Sequence, residues 1–175
     1  MVDSVKVLAV KKEATYGVDA APTLAANAAV TRNFKASPLI TDPLPRNLDR
    51  GTYGSTPILA TNKRQEVSYD LEVAGSGEPG LAPAWMEFLE GAGMAPPALV
   101  ADTSATQRMA APNVAQSSLT QYHWIGDQKR VGVGARGTFT MDFTAGAYPF
   151  IGLSYTLLVP KLTPRSVGAP GAATV

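Results

Sequence analysis

The stretch Gly134–Pro160, GARGTFTMDFTAGAYPFIGLSYTLLVP, decides the fold of this chain. Apolar and polar residues alternate along both of its halves, which is typical of strands with one buried and one exposed face. Phe139, Met141 and Phe143 share one face of the first half, and Ile151–Val159 alternates in the same way. Ala145–Ala147 contains a glycine and supplies a turn. The stretch therefore predicts an antiparallel hairpin.

Before this hairpin in the sequence, Thr61–Ala74 is the most regular amphipathic strand, and Ala82–Gly93 has the apolar spacing of a short helix. We also expect strands at Val5–Val10, Thr31–Leu39 and Ser118–Ile125, and one or two helical turns at Pro22–Val30. The predicted fold class is mainly β (α+β), a β-sandwich or barrel-like subunit with one short packed helix and long loops. The predicted core comprises Val67, Tyr69, Leu71, Trp85, Phe88, Leu89, Phe139, Met141, Phe143, Leu153, Tyr155 and Leu157.

Residues 1–162 are predicted to form a single β domain. Two long connections interrupt it, at about residues 40–58 and 94–116, and both are rich in proline, glycine or small polar residues. Loops of this length are usually functional or disordered. Residues 163–175 contain no aromatic residue, and we expect a flexible tail there.

Composition limits the classes of function. Charged residues make up 17 % and the net charge is +1, so no strong field attracts nucleic acid or an acidic membrane. The low charge indicates either a surface that meets other protein or an unusual loop content. Cysteine is absent, and no stretch is apolar for long enough to span a membrane. We therefore expect no disulfide, no thiolate metal site, no secretory leader and no membrane insertion.

Two segments match the glycine spacing of a dinucleotide-binding loop. The first, Gly132–Gly137, runs into a strand where a phosphate loop must open a helix, so we expect a bulge or a close backbone approach there. The second, Gly75–Gly80, follows a strand and precedes a helix, and Asp102 lies at a suitable distance. However, Pro79 removes an amide donor and Glu78 adds a negative charge. Dinucleotide binding remains a minor alternative.

No residue pattern predicts catalysis. His123 is the single histidine and is expected to be a structural strand residue, although one sequence leaves a triad open. Glu66, Asp70 and Glu72 fit the solvated face of a strand better than a pair of catalytic carboxylates. Tyr122 and Trp124 would suit a carbohydrate-binding module if they were exposed. We expect no enzyme activity, no cofactor and no metal.

Three blocks of sequence together resemble the tail tube proteins of long-tailed bacteriophages. They are Lys12–Asp19 with Ala21–Thr23, Val67–Gly80 with Ala82–Ala84, and Gly134–Met141 with Ala145–Gly146. The resemblance implies a structural virion protein, most similar to the major tail protein of the non-contractile type. Such subunits form hexameric rings that stack into a hollow tube. The tube holds a tape measure protein, meets tail-end proteins, and conducts genomic DNA during ejection without sequence-specific binding.

The resemblance also gives roles to residues. Glu66, Asp70, Glu72 and Asp142 are expected to face the lumen and to let DNA slide without adhering. The connection Ile40–Ile58 is expected to contact neighbouring subunits or rings through Asp42, Arg46, Asp49, Arg50 and Tyr53. The expected location is the virion tail, after assembly in the bacterial cytoplasm. Another ring-forming tail component, such as a terminator or distal tail protein, remains an alternative.

Overall fold

The computed structural model describes residues 6–46, 48–49, 51, 54, 56–159 and 166–167, with the backbone alone for Pro38, Ser166 and Val167. Most of these residues lie in β-strands. The strands and helices in chain order are β1 Lys6–Lys12, α1 Leu24–Asn27, β2 Ala28–Ala29, β3 Arg32–Pro45, β4 Ile58–Glu72, α2 Trp85–Glu90, β5 Ala98–Val100, β6 Ser104–Thr106, β7 Leu119–Ile125, β8 Gln128–Asp142, β9 Phe150–Leu158 and β10 Ser166–Val167.

An antiparallel sheet of eight strands forms the body, in the order β2-β1-β7-β8-β9-β4-β3, with β10 added beside β8. A separate hairpin joins β5 to β6. The mainly β prediction is confirmed. The strands predicted at Thr61–Ala74, Ser118–Ile125 and in both halves of Gly134–Pro160 are present, and Gly146 holds a positive φ of 83° in the predicted turn.

The long strand β8 belongs to both halves of this sheet. Its first part pairs with β7 as far as Ala135, and its second part pairs with β9 from Val133 to Asp142. The register shifts against both neighbours near Gly134, whose φ is +64°. A bulge of this kind bends a strand and changes its twist. The glycine run is therefore a bulge inside a strand, as predicted, and it opens no helix.

The bend brings the two halves of the sheet face to face around one core. Phe34 on β3 lies 5.7 Å from His123 on β7, measured between ring centroids, and Gln121 donates to the Tyr69 hydroxyl at 3.3 Å. These strands are far apart in the sheet order, so the sheet folds over onto itself. The buried core contains Leu8, Val10, Phe34, Val67, Tyr69, Leu71, Phe88, Leu89, Leu119, Ala135, Ile151, Leu153, Tyr155 and Leu157.

Helix α2 closes one side of this core. Tyr155 donates to the carbonyl of Phe88 at 2.6 Å, and Gly137 donates its amide to the carbonyl of Gly91 at 3.0 Å. Lys12 on β1 holds the other side of the helix, because its backbone amide donates a hydrogen bond to Glu87 Oε1 at 2.9 Å and its side chain forms an ion pair with Glu90. The predicted packed helix is thus present, although it is shorter than Ala82–Gly93.

Four of the predicted core residues need correction or adjustment. Phe143 is 70 % exposed, so its assignment to the core is wrong: β8 ends at Asp142, one residue before it. Trp85, Phe139 and Met141 are only partly buried and pack against the edge of the core. The other predicted core residues are buried, namely Val67, Tyr69, Leu71, Phe88, Leu89, Leu153, Tyr155 and Leu157.

The prediction of a loop over the whole of Ile40–Ile58 is also wrong. Strand β3 continues to Pro45 and pairs with β4 down to Ile58, so the connection spans residues 46–57. Pro43 and Pro45 suggested a loop, but β3 is an edge strand, where proline costs no ladder hydrogen bond. The second connection, about 94–116, contains the β5–β6 hairpin. The predicted tail lies outside the described residues, except for the backbone of β10.

Gly137 marks a close backbone approach that can be tested. A Cβ at this position would lie 1.9 Å from the carbonyl oxygen of Ser154 on β9. We expect Gly137→Ala to lower the free energy of unfolding by about 2 kcal/mol or more, because the two backbones must separate. Gly75→Ala is the control, since nothing lies within 4 Å of its Cβ position. Urea denaturation measures the free energy of unfolding of both variants. Equal values for Gly137→Ala and Gly75→Ala would contradict the close approach of β8 and β9 at Gly137.

Candidate functional surface

The half of the sheet formed by β3, β4, β9 and the second part of β8 has two unlike faces. One face supplies much of the core. The opposite face, termed here the polar sheet face, carries hydroxyl and charged side chains. Register pairs such as Ser68 with Ser154, and Thr138 with Ser154, align hydroxyls across neighbouring strands. The face comprises Arg32, Lys35, Arg64, Glu66, Ser68, Asp70, Glu72, Thr138, Thr140, Asp142, Ser154 and Thr156.

All four carboxylates predicted to face a lumen lie on this surface. Asp70 is opposite Gly152, and Glu66 is opposite Thr156. Glu72 and Asp142 flank Phe150, one on each side. They are therefore on the face of the sheet that points away from the core.

The charges on the polar sheet face are partly paired. Asp70 accepts from Asn33 at 2.7 Å and from Arg32 at 3.4 Å. Arg64 lies between Asp42, at 3.1 Å, and Glu66, at 3.2 Å. Hydrogen bonds from Asn62 and then from Arg64 lower the pKa of Asp42. The centre of the face is thus a mixed-charge surface rather than a uniformly acidic one.

Glu72 and Asp142 form the exception. Both are exposed, and neither forms an ion pair with another described residue. They lie at the end of the sheet where the β8–β9 hairpin turns. This end of the polar sheet face is therefore acidic, while the middle is close to neutral.

Two shallow grooves run along this surface. One, of about 570 Å³, lies over the middle of the sheet between Lys35, Ser68 and Thr138. The other, of about 550 Å³, reaches the hairpin end between Asp142, Tyr148 and Phe150. Arg32 stacks over the ring of Phe150 with its guanidinium carbon 3.5 Å from the centroid. Both grooves lie among the polar and charged side chains of this face, and the second also contacts the two aromatic rings.

A second candidate surface is the ribbon formed by the ends of β3 and β4. Strand β9 pairs with β4 as far as Arg64, so among the described strands only β3 pairs with residues 58–63. Six residues span about 20 Å. We call residues 41–63 the arm. Of the predicted contact residues, Asp42 lies in β3, Arg46 and Asp49 are exposed, and Arg50 and Tyr53 lie outside the described residues.

The arm exposes apolar side chains. Ile58 is 66 % and Leu59 54 % exposed, and Leu44 and Leu48 are also exposed. Leu44 is opposite Leu59 in the register, and the amide of Arg46 donates to Pro57 at 3.3 Å. A two-stranded ribbon with apolar side chains in water is marginal on its own. The arm is therefore suited to contact with another protein surface.

Sequence reasoning missed a buried carboxylate at Glu13. Its Oε1 accepts from Gly134 N at 2.7 Å and from Thr120 Oγ1 at 2.8 Å. Its Oε2 accepts from Ser118 Oγ at 2.6 Å and from Gly17 N at 2.8 Å. These hydrogen bonds fix the segment after β1 against β7 and the bulge of β8. No local pattern could reveal them, because the partners lie more than 100 residues away in sequence, Gly17 excepted.

The same contact joins the sequence blocks Lys12–Asp19 and Gly134–Met141. Arg136 places its guanidinium carbon 4.3 Å from the centroid of the Tyr16 ring, and donates to the Gln116 carbonyl at 2.8 Å. A Cβ on Gly134 would lie 3.2 Å from that tyrosine ring. The residues in these two blocks thus have a structural reason to occur together.

The residues considered for catalysis or ligand binding, His123, Tyr122 and Trp124, are buried in the fold. His123 is fully buried, and burial, followed by the charge of Arg130, lowers its pKa from 6.5 to about 4. Tyr122 and Trp124 are buried beneath the segment after β1, and Tyr122 donates to Asp19 at 2.5 Å. The carbohydrate-binding reading needed exposed aromatic residues and therefore loses its support.

The second glycine motif does not form a phosphate loop. It follows β4, which lies in an antiparallel sheet, and it leads to the six-residue helix α2. A Cβ on Gly80 would lie 2.6 Å from the amide nitrogen of Asp102, so this glycine allows two loops to touch. A dinucleotide fold instead requires parallel strands and crossover helices.

Among the described residues, no group of three or more His, Cys, Asp or Glu side chains could hold a metal ion. No helix in the described part of the chain is long and apolar enough to cross a membrane.

A scan against models of known protein families gives no match, and a search of curated proteins finds no similar sequence. The functional interpretation therefore depends on the surfaces described above.

The four hydrogen bonds at Glu13 make its replacement informative. Each carboxylate oxygen accepts one backbone amide, so an amide group in Glu13→Gln would face a backbone donor in either orientation. We expect a loss of about 2–3 kcal/mol in the free energy of unfolding. Glu72→Gln, at an exposed carboxylate, is the control and should change it by less than about 0.5 kcal/mol. Thermal or urea denaturation measures both variants. If the two replacements lower the free energy of unfolding by similar amounts, the role assigned to Glu13 is contradicted.

The burial of the His123 imidazole predicts that the stability of the fold depends on pH. Its pKa is lower in the folded state than the ordinary value of 6.5, so the unfolded chain binds the proton more readily. Acidification from pH 6.5 to about 4 should lower the free energy of unfolding of the wild type by about 3 kcal/mol more than that of the His123→Leu variant. Denaturation curves at pH 7 and pH 4 for both proteins measure the difference. The same pH dependence in both would show that His123 is not buried in its neutral form.

Proposed function

We propose that this chain is the tail tube subunit of a long-tailed bacteriophage of the non-contractile type. Six copies form a ring, and rings stack into the conduit through which DNA is ejected. The observation that carries the proposal is the sheet half β3-β4-β9-β8, which combines an apolar inner face, a polar outer face with shallow grooves, and strands at both sides that pair with one described strand only.

The open edges support joining between copies. On one side the edge is β3, and on the other it is the part of β8 after Ala135, which pairs with β9 alone among the described strands. Unpaired edges are aggregation-prone in monomers, and closing a sheet into a barrel removes them. Pairing β8 of one copy with β3 of the next would satisfy both edges at once.

The polar sheet face supports the role of a lumen wall. Hydroxyl groups and paired charges offer DNA no dense array of positive charge, and Glu72 and Asp142 repel its phosphates. DNA would pass such a wall without sequence-specific binding. The same wall would hold a tape measure protein before ejection, and tail-end proteins would meet the two ends of the tube. Assembly would take place in the host cytoplasm, before the subunit enters the virion tail.

The arm supports stacking of the rings. It carries exposed leucine and isoleucine side chains, and none of the arm residues that the structure describes belongs to the buried core clusters. A ring-forming terminator or distal tail protein would share the sheet but would stop at a single ring. Open-ended growth therefore distinguishes a tube subunit from those components.

Shortening the arm tests this function. We expect replacement of residues 41–63 by Asn-Gly, which suits a two-residue hairpin turn, to leave the core folded because Ile40 and Arg64 are already paired. Wild type should form large assemblies in sedimentation velocity as concentration rises, while the shortened variant should stop at rings or smaller species. Leu99→Ser, at an exposed residue of β5, is the control and should assemble normally. Equal assembly of the shortened variant and the wild type would contradict the proposal.

A further inference from the structure

A second exposed apolar surface lies at the turn of the β8–β9 hairpin. Tyr148 is 78 % exposed and directly follows the turn at Ala145–Ala147. It lines the groove of about 550 Å³ together with Asp142 and Phe150, and Glu72 is opposite Phe150 in the register. We call this surface, formed by Glu72, Asp142, Tyr148 and Phe150, the aromatic tip.

The aromatic tip and the arm lie at opposite ends of the same sheet. Phe150 is opposite Glu72 at one end of β4, and Ile58 begins β4 at the other end. The 15 residues of β4 span about 50 Å. The two apolar surfaces of one chain therefore cannot cover each other.

The two surfaces have complementary chemistry. The arm offers aliphatic side chains, Leu44, Ile58 and Leu59, whereas the aromatic tip offers rings around a groove. The arm contains three basic residues and two acidic residues, Asp42 and Asp49, of which Asp42 forms an ion pair with Arg64. The aromatic tip contains Glu72 and Asp142, which have no ion-pair partner among the described residues. The opposite charges and matching apolar groups favour a contact between arm and tip.

We propose that the aromatic tip is the docking surface for the arm of a second copy of this chain. The contact is head-to-tail, since it joins unlike surfaces at opposite ends of one sheet. Such a contact leaves one free arm and one free tip at the ends of every assembly, so growth does not close. The proposal rests on the proposed function, and it assigns the surface on which each ring receives the arms of the next.

Cross-linking between single-cysteine variants tests this assignment, because the natural chain contains no cysteine. Leu59→Cys places a thiol on the arm and Tyr148→Cys places one on the aromatic tip. Concentrated protein containing both variants is treated with a short bis-maleimide and resolved by denaturing electrophoresis. Each chain carries one thiol, so every dimer joins two copies.

We expect the arm and tip variants to give at least a tenfold higher yield of covalent dimer together than either gives alone. Leu99→Cys, on exposed β5, replaces the tip variant in the control mixture and should give only the background yield. An equal yield in the control mixture, or no dimer in any mixture, would overturn the assignment. A dominant product from Leu59→Cys alone would show that arms meet arms, which also overturns it.

Electron microscopy of the same samples separates the two proposals. Tubes without arm-to-tip dimers would overturn the docking surface and leave the tube function standing. If arm-to-tip dimers form but only short linear chains of copies appear, the docking surface is supported while the hollow tube is contradicted.

Discussion

The structure depends on the shared strand β8, which must bend at Gly134 and still lie against β9 at Gly137. The bulge turns the strand from one half of the sheet into the other, so that β7 faces β3 and β4 across a single core. At Gly137 the chain contacts the backbone of β9, and the Gly137 amide also donates to the carbonyl of Gly91 at the end of helix α2. The sheet, the helix and the polar face therefore all take their positions from one short glycine-containing segment.

The same segment explains why separate sequence blocks occur together. Glu13 binds the amide of Gly134, and Arg136 packs over Tyr16, so the segment after β1 and the bulge of β8 form one unit. This unit covers the outer side of β7, where Tyr122 and Trp124 would otherwise meet water. These two sequence blocks therefore carry residues whose contacts build the fold of the chain.

Alternating patterns predicted the strands that have one buried and one exposed face. In Thr61–Ala74 the residues Val67, Tyr69 and Leu71 are buried, and Glu66 and Glu72 are exposed, as the alternation requires. The same rule failed for Phe143, because alternation does not reveal where the strand ends. The strands of the arm were also missed. Pro43 and Pro45 predict a loop unless the strand that contains them is known to lie at the edge of a sheet.

The contacts that fix the candidate surfaces could not be predicted from sequence spacing. Glu13 meets Thr120 and Gly134 only after the sheet has folded over, and Arg64 meets Asp42 across a hairpin whose register includes bulges. The carboxylates of Glu66, Asp70, Glu72 and Asp142 could be assigned to one face of the sheet from the alternation along the strands. Their ion pairs, which leave only the hairpin end acidic, required the structure.

The described sheet half β3-β4-β9-β8 has an apolar inner face, a polar outer face, side strands that pair with one described strand only, and an exposed arm. From these features we propose that copies of this chain join into a hollow tube. Negative-stain electron microscopy of the concentrated wild-type protein is the decisive experiment. We expect open-ended tubes with a central channel and a regular axial repeat. Dispersed monomers, or closed single rings at every concentration, would contradict it.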